Sequence, residues 1–388
     1  MRVCFYMNRN VNIVLLVVLV LMFLIISREY VGRSIKKILS KAVNNDTLAA
    51  PSLASYLSRQ KYLVLYYNPS TFVSTNLKYA MPCNFEKCEW NNCELTFDKN
   101  DARGSDAVIF DGMYIPKKLN FTRPNGQVWI FAAHESPQMY HIGKNWWYKN
   151  NYAFNWTMTY DKDNTDIYFP YGEIRKSKVH VHRYFETVAR NKNSTRPLMI
   201  ASHCTTNAKR QQYVKELNKH INLTILGRCG RLWNCGKRFR HDEFCFRILN
   251  RTYLFYLAFE NAFCHNYFTE KFFENFNYDT IMITRGGLPG DAKRLFPEGS
   301  YISTDDFKTA KDLAMYLRSL TVADIVKLLQ RKNQFYSTGY KPVYQRAFCD
   351  ICYRMNFQKK FEKTIQDMKK WAFDSKPCLH PKEVKDIS

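Results

Sequence analysis

The sequence predicts an α/β protein with two Rossmann-like lobes and a cleft between them, preceded by a single N-terminal transmembrane helix and a short stem. Three observations predict this organisation: an apolar run near the N-terminus, several short apolar runs of strand length, and strand–helix alternation on both sides of a break at Arg196-Pro197. With 388 residues, the chain exceeds the size at which one hydrophobic core stops growing. Its 46% hydrophobic and 16% aromatic content excludes an intrinsically disordered protein.

The apolar run near the N-terminus extends unbroken over residues 13–26. A helix of that length rises about 21 Å. This is less than the roughly 30 Å of an average bilayer core, so the span must include Val11, Asn12 and Ser27 or cross a thin membrane. No small-residue cleavage site follows the run, which favours an uncleaved anchor over a signal peptide. Basic residues lie on both sides of the apolar run, so the charge distribution does not decide the orientation of the helix in the membrane.

Features after the span indicate a lumenal chain. Six Asn-x-Ser/Thr sequons follow it, at Asn45, Asn120, Asn155, Asn193, Asn222 and Asn250. Eleven of the twelve cysteines also follow it, and disulfides form in oxidising compartments. Because eleven is odd, at least one lumenal cysteine stays free or pairs between chains. A zinc site among Cys83, Cys88, Cys93, Cys349 and Cys352 is disfavoured because no histidine pair accompanies them.

The chain divides into six predicted segments: a cytoplasmic tail (1–10), a signal-anchor helix (11–30), a stem (31–60), an N-terminal lobe (61–195), a C-terminal lobe (196–352) and a C-terminal tail (353–388). In the first lobe, short runs without polar alternation predict buried parallel strands at 62–67, 106–110 and 127–131. In the second lobe, a strand at 198–201, a helix at 209–220 and a strand at 223–227 form a predicted βαβ unit. Further strands at 253–260 and 280–284 alternate with helices at 269–276 and 307–320.

A ligand cleft is expected where the carboxyl ends of these strands meet. Glu135 follows the strand at 127–131, so it is either a general base in the cleft or the cap of the next turn. Thr269 is a plausible helix N-cap, and a phosphate could bind at that helix start beside Lys271. On spacing alone, solvated first-turn charges at Glu270 and Lys271 are the favoured interpretation.

Five short motifs carry a resemblance to a known family. They are Glu135-Ser136-Pro137, the segment 154–160, Pro170-Tyr171-Gly172, the segment 256–261 ending in Phe-Glu-Asn, and Tyr267-Phe268-Thr269-Glu270-Lys271. In this order they resemble the α1,3-fucosyltransferases of glycosyltransferase family 10, from about Tyr62 to Cys352.

The resemblance implies a GT-B type fold with the acceptor lobe first and the GDP-fucose lobe second. Glu135 resembles the family's general base, and Arg210 and Lys271 resemble the pair that holds the donor pyrophosphate. Tyr267 and Glu270 match positions near the donor. Glu260 and Asn261 match the turn that lines the nucleotide pocket.

The implied reaction is the inverting transfer of L-fucose from GDP-β-L-fucose to the 3-hydroxyl of an N-acetylglucosamine in a glycoprotein glycan. The implied place is the Golgi membrane, with a single-pass type II anchor and a lumenal catalytic region. The resemblance also implies that no cofactor is required and that a divalent cation is at most stimulatory. The acceptor is an N-glycan or another N-acetylglucosamine-containing glycan, and either the N-glycan core or an outer Lewis-type residue fits.

Three sequence details bear on the resemblance. Asp161-Lys162-Asp163 spells the Asp-x-Asp pattern of manganese-dependent transferases, but we predict that it binds no metal because the family has a charged turn there. Gly286-Gly287 could form a donor loop or a flexible turn. His134 is expected to be a packing residue.

The family's animal members tie a C-terminal Cys-x2-Cys, resembling Cys349 and Cys352, to cysteines near the start of the catalytic region. The resemblance therefore implies disulfides from this pair to two of Cys83, Cys88 and Cys93, without saying which two.

Two alternatives remain open at the sequence level. One is another, metal-dependent lumenal glycosyltransferase, in which Asp161 and Asp163 would matter and Lys271 would not. The other is an inactive glycan-binding member of the family.

The net charge of +24 exceeds what binding GDP needs, and nucleic acid is not an expected partner of a lumenal chain.

Overall fold

The computed structural model describes residues 61–81, 84–140, 152–178, 184–192, 194–231, 250–374 and 378–381. The chain divides into two units, Met1–Lys61 and Tyr62–Ser388, and everything below concerns the second. The predicted tail, anchor helix and stem all lie outside the described residues. Within the described ranges, no helix is both long and apolar enough to cross a bilayer.

Thirteen strands are found in the described part of the chain. Their bounds are β1 Tyr62–Tyr66, β2 Cys93–Thr96, β3 Ala107–Asp111, β4 Val128–Ala133, β5 Trp156–Thr159, β6 Ile167–Tyr168, β7 Ile174–Lys176, β8 Leu198–Ile200, β9 Thr224–Leu226, β10 Phe255–Phe259, β11 Ile281–Arg285, β12 Ile302–Ser303 and β13 Phe335–Ser337.

Eight α-helices accompany them in the same described ranges. Their bounds are α1 Thr71–Ala80, α2 Phe185–Asn191, α3 Arg210–Leu217, α4 Glu270–Phe273, α5 Asp291–Leu295, α6 Ala310–Ser319, α7 Val322–Lys332 and α8 Tyr340–Asn356.

The strands form two parallel sheets, one in each lobe. The first has the order β2-β1-β3-β4-β5-β6 and the second the order β12-β11-β10-β8-β9, while β7 and β13 pair separately as an antiparallel ribbon. Strands β3, β4, β5, β10 and β11 are buried at every position, because helices and loops cover both sheet faces. The predicted α/β fold with parallel sheets is confirmed, and so is the βαβ unit formed by β8, α3 and β9.

The last long helix returns to the first lobe. Val343, Ala347 and Ile351 of α8 are fully buried in the same core cluster as strands β1, β3, β4 and β5. Since α8 runs to Asn356, it crosses the predicted boundary at 352, and by packing it belongs with the first sheet.

Two disulfides link α8 covalently to the first lobe. Cys349 is bonded to Cys88, and Cys352 to Cys93. Cys83 lies outside the described residues. Two further disulfides, Cys204–Cys229 and Cys264–Cys378, had not been predicted. All eight cysteines in the described part of the chain are disulfide-bonded, as expected for an oxidising compartment.

Candidate active site

Glu135 lies at the edge where the two lobes meet. Strands β4 and β5 are parallel neighbours, so the residues that follow them emerge at the same edge of the first sheet. The Glu135 carboxylate points across to the second lobe, where its Oε2 accepts a hydrogen bond from the Tyr267 hydroxyl at 2.7 Å. A longer bond, 3.4 Å, comes from Asn261 Nδ2. Ser136 occupies the N-cap position of the turn that follows, without a capping hydrogen bond from its side chain, so Glu135 is not the cap.

Tyr267 is a buried hydrogen-bond donor. Its side chain is only 1% exposed. Burial, followed by the nearby Glu135 carboxylate, holds the pKa of Tyr267 well above its ordinary range. The phenol therefore stays protonated and donates to Glu135 throughout the physiological pH range.

The second lobe contributes a charged cluster at the start of α4. Glu260 directly follows β10 and is completely buried. Its carboxylate accepts from the Thr269 backbone N–H at 2.8 Å and from the Thr269 hydroxyl. Lys271 Nζ lies 3.3 Å from Glu260 Oε2 and 3.0 Å from Glu270 Oε1, and donates to Thr269 Oγ1 at 2.8 Å. The predicted N-cap at Thr269 is confirmed.

The pKa shifts in this cluster follow from burial and mutual attraction. Burial raises the pKa of Glu260, and Lys271 only partly offsets that effect. For Glu270, burial is outweighed by Lys271, and the pKa is lowered. For Lys271, burial lowers the pKa, but the carboxylates of Glu260 and Glu270 together raise it above its ordinary range. Lys271 is therefore a permanent cation.

Arg210, at the start of α3, is buried. Its side chain is 2% exposed, and its terminal nitrogens donate to the backbone carbonyls of Phe259 and His203 at 2.9 and 2.6 Å. Its Nε is buried without a hydrogen-bond partner. In this arrangement Arg210 fixes the end of β10 with two of its five N–H donors.

Asn261 and Gly286 lie next to Glu260. Asn261 Oδ1 is buried without a hydrogen-bond partner, so it is free to accept from a ligand. A Cβ added to Gly286 would lie 2.6 Å from the Glu260 Cγ and 3.2 Å from the Tyr267 carbonyl oxygen. Gly286 is therefore required by close packing against the charged cluster and is not merely a flexible turn.

His134 is a packing residue, as expected. Its ring stacks on Phe169 and Tyr171 at 3.9 and 4.7 Å between ring centroids, and its Nδ1 shares a 3.1 Å hydrogen bond with the Tyr344 hydroxyl. Burial lowers the pKa of His134 to about 3, so the imidazole is neutral at physiological pH.

Asp111 was missed in the sequence. It ends β3, next to β4, and is 5% exposed. Its carboxylate accepts from the backbone N–H groups of Ser70 and Met113, yet burial raises its pKa to about 6. The signal that could have found it is the one that found Glu135, a carboxylate at the carboxyl end of a buried strand.

The Asp-x-Asp pair was predicted to bind no metal. The structure brings Asp161 and Asp163 of the first lobe close to His265 of the second, and their potential ligand atoms all lie within 4.8 Å of one another. Arg294 contacts the same group, with Nη1 2.9 Å from Asp163 Oδ2. An opening beside this cluster is lined by Pro137, Tyr160, Asp161, His265 and Trp371, among others.

The sequence matches two family descriptions. Residues 59–172 match "Fucosyltransferase, N-terminal", and residues 189–371 match "Glycosyltransferase family 10 (fucosyltransferase) C-term". Together they span both sheets and α8.

Curated relatives point to the same family. The chain is 33% identical to glycoprotein 3-alpha-L-fucosyltransferase A of Drosophila melanogaster, over 74% of this chain and 55% of that protein. It is 30% identical to alpha-(1,3)-fucosyltransferase C of the same organism, over 77% of this chain and 72% of that protein. The chain thus spans only about half the length of the first of these relatives.

Among solved structures, an α1,3-fucosyltransferase crystallised with GDP-fucose is similar at a TM-score of 0.49 and 16% identity, over 82% of this chain and 94% of that one. From the family matches and the sequence relatives, this chain belongs to glycosyltransferase family 10, the fucosyltransferases.

Proposed function

We propose that this chain transfers L-fucose from GDP-β-L-fucose to the 3-hydroxyl of an N-acetylglucosamine in a glycoprotein glycan, with inversion and with Glu135 as the general base. The observation that carries the proposal is the 2.7 Å bond between Tyr267 and Glu135, which ties the predicted base to the segment that bears the predicted donor residues. Glu135 has no cationic partner within salt-bridge distance in the described ranges, which leaves its carboxylate available to accept a proton.

In the proposed reaction, Glu135 takes the proton of the acceptor hydroxyl while the oxygen attacks the anomeric carbon of fucose. The carbon–oxygen bond to GDP breaks, and GDP leaves with the electron pair. One in-line displacement turns a β-linked donor into an α-fucoside, and the proton passes from Glu135 to solvent. Because Tyr267 donates to only one carboxylate oxygen, Oε1 remains open to the acceptor.

Lys271 supplies the charge that stabilises the departing diphosphate. All three of its donor directions are used in this structure, by Thr269, Glu270 and Glu260. Glu270 is the more exposed carboxylate, at 35% against 0% for Glu260. Donor binding is therefore expected to displace Glu270 from Lys271 and to leave the buried Glu260 contact intact.

A metal-dependent transferase remains the second candidate, since Asp161, Asp163 and His265 lie close together. We favour the metal-independent mechanism because a cation, the Arg294 guanidinium, already contacts Asp163.

As the location in the cell, we propose the Golgi membrane, with the chain as a single-pass type II protein. This rests on the apolar run at 13–26 and on disulfides in the folded unit.

The test uses the full chain purified in detergent, with labelled GDP-fucose and a panel of N-acetylglucosamine-containing glycans, in the presence of manganese or EDTA. Transfer that persists in EDTA, with an α1,3-linkage seen by NMR, is the expected result, and the panel identifies the acceptor. Transfer abolished by EDTA and restored by manganese would favour the second candidate. Absence of transfer and of GDP-fucose binding would refute the proposal.

A further inference from the structure

The contact between the lobes beside Glu135 is built from two adjacent residue pairs. Tyr160 and Asp161 follow β5 in the first lobe, and Asn266 and Tyr267 precede α4 in the second. The rings of Tyr160 and Tyr267 pack with centroids 5.0 Å apart, and Asn266 Nδ2 donates to Asp161 Oδ1 at 2.7 Å. All four residues are at most 8% exposed. This surface therefore excludes water and fixes one lobe against the other.

Asn266 is held from both lobes. Its φ of 56° lies in the left-handed region, which asparagine tolerates better than most residues. Its backbone N–H donates to Asp291 Oδ2 at 2.7 Å, and its side-chain amide also donates to Asp163 Oδ2 at 3.0 Å. Three carboxylates thus hold one residue, immediately before the tyrosine that bonds Glu135.

Two further side chains complete the network. Arg294 bridges Asp163 and Asp291, at 2.9 and 3.0 Å, and also donates to Asn266 Oδ1. His265 Nδ1 bonds Asp161 at 3.0 Å. The Asp-x-Asp pair therefore already has protein partners from the second lobe, and the guanidinium lies where these carboxylates would attract a cation.

We propose that Asp161 and Asn266 are positioning residues, which set the Tyr267 hydroxyl against Glu135 and so hold the carboxylate in the orientation that the reaction needs. On this proposal the carboxylates of Asp161 and Asp163 bind side chains of the second lobe and do not bind a metal. The inference rests on the proposed role of Glu135. It goes beyond that role because it assigns a function to residues that have no contact with Glu135 among the described hydrogen bonds.

The test compares steady-state kinetics of the full chain carrying Asn266→Gly, Asp161→Asn or Tyr267→Phe. Glycine keeps the left-handed backbone accessible and removes only the amide. Since a displacement of about 1 Å can cost about 100-fold in rate, kcat should fall about 10- to 100-fold in each variant, with the KM for GDP-fucose changed less than about threefold. Asn84→Gly is the matched control, because Asn84 also has a positive φ, of 53°, but is exposed and bonds Leu95 of the edge strand β2, and it should leave kcat unchanged.

A double variant tests whether the residues act through one path. Asn266→Gly should add little to the loss caused by Tyr267→Phe, because both remove the same constraint. Multiplicative losses, or a normal kcat in Asn266→Gly, would overturn the inference. If Asn266→Gly does not fold, Tyr267→Phe with Asp161→Asn gives the same double comparison.

Two further measurements distinguish positioning from metal binding and from failure of the base itself. If EDTA lowers wild-type kcat as far as Asp161→Asn does, the pair binds a metal and the inference is wrong. If Glu135→Gln retains full transfer, the proposed base fails first, independently of the Asn266 result.

Discussion

His134 offers a quantitative test of the packing around the first lobe. Its ring is 7% exposed between Phe169 and Tyr171, and burial lowers its pKa to about 3. In the unfolded chain the pKa returns to about 6.5, so below pH 6.5 the unfolded state binds a proton that the folded state does not. The free energy of unfolding should therefore fall as pH falls through 6.5 towards 3.

The size of this loss follows from the two pKa values. At about 1.4 kcal/mol per pH unit, His134 should remove about 2 kcal/mol of stability between pH 7 and pH 5. His134→Phe keeps the aromatic stack and has no proton to take up, so its unfolding free energy should change by about 2 kcal/mol less over the same interval. His380→Phe, at an exposed position, is the control for replacing an imidazole with a phenyl ring.

The assay is chemical denaturation of the detergent-purified chain at a series of pH values, followed by tryptophan fluorescence. Parallel curves for wild type and His134→Phe would refute the reasoning, because they would mean that the buried imidazole is protonated in the folded state or is not buried.

Three further predictions concern disulfides, Gly286 and the sequons. Cys88–Cys349 and Cys93–Cys352 close almost the same loop, with sequence separations of 261 and 259. Removing either disulfide should therefore lower the free energy of unfolding only a little, whereas removing both should lower it by about 5 kcal/mol. Losses of unfolding free energy that simply add in chemical denaturation would contradict this. Gly286→Ala should lower stability by about 1–3 kcal/mol and weaken GDP-fucose binding in calorimetry, whereas Gly104→Ala, whose Cβ meets nothing closer than 3.8 Å, should do neither. Asn155 Nδ2 donates to the Lys363 carbonyl at 2.8 Å, so glycopeptide mass spectrometry should find Asn155 unmodified and the exposed Asn222 glycosylated; a glycan on Asn155 in folded protein would refute this.

Much of the fold could be predicted because buried parallel strands leave a strong local signal. The strands predicted at 62–67, 127–131 and 280–284 match β1, β4 and β11 to within about two residues. Short edge strands were missed, since two residues such as those of β6 or β12 carry too little pattern to detect.

The packing of α8 could not be predicted, because an amphipathic helix does not say which sheet it covers. The cysteine pattern carried the relevant information, but only the fold decides that Cys88 and Cys93 are the partners.

In the site, the position of Glu135 directly after a predicted strand was enough to identify it as a candidate. Its hydrogen bond with Tyr267 became visible only in the folded structure. Spacing alone favoured solvated first-turn charges at Glu270 and Lys271, with a phosphate at the start of α4 as the alternative, but Lys271 lies in ion pairs with Glu260 and Glu270. The structure instead uses the Thr269 N–H for Glu260, a contact between residues nine apart. Long-range pairs such as Asp161 with Asn266 leave no local pattern, and the structure was needed to reveal them.

The role of Glu135 as the base is tested by measuring Glu135→Gln in single-turnover transfer from GDP-fucose, alongside GDP binding by calorimetry. Glutamine keeps the shape and an oxygen acceptor for Tyr267 but cannot take the proton. We predict that transfer falls by at least about 100-fold while GDP affinity is unchanged. Transfer at the wild-type rate with GDP affinity intact would contradict this prediction and remove Glu135 as the base.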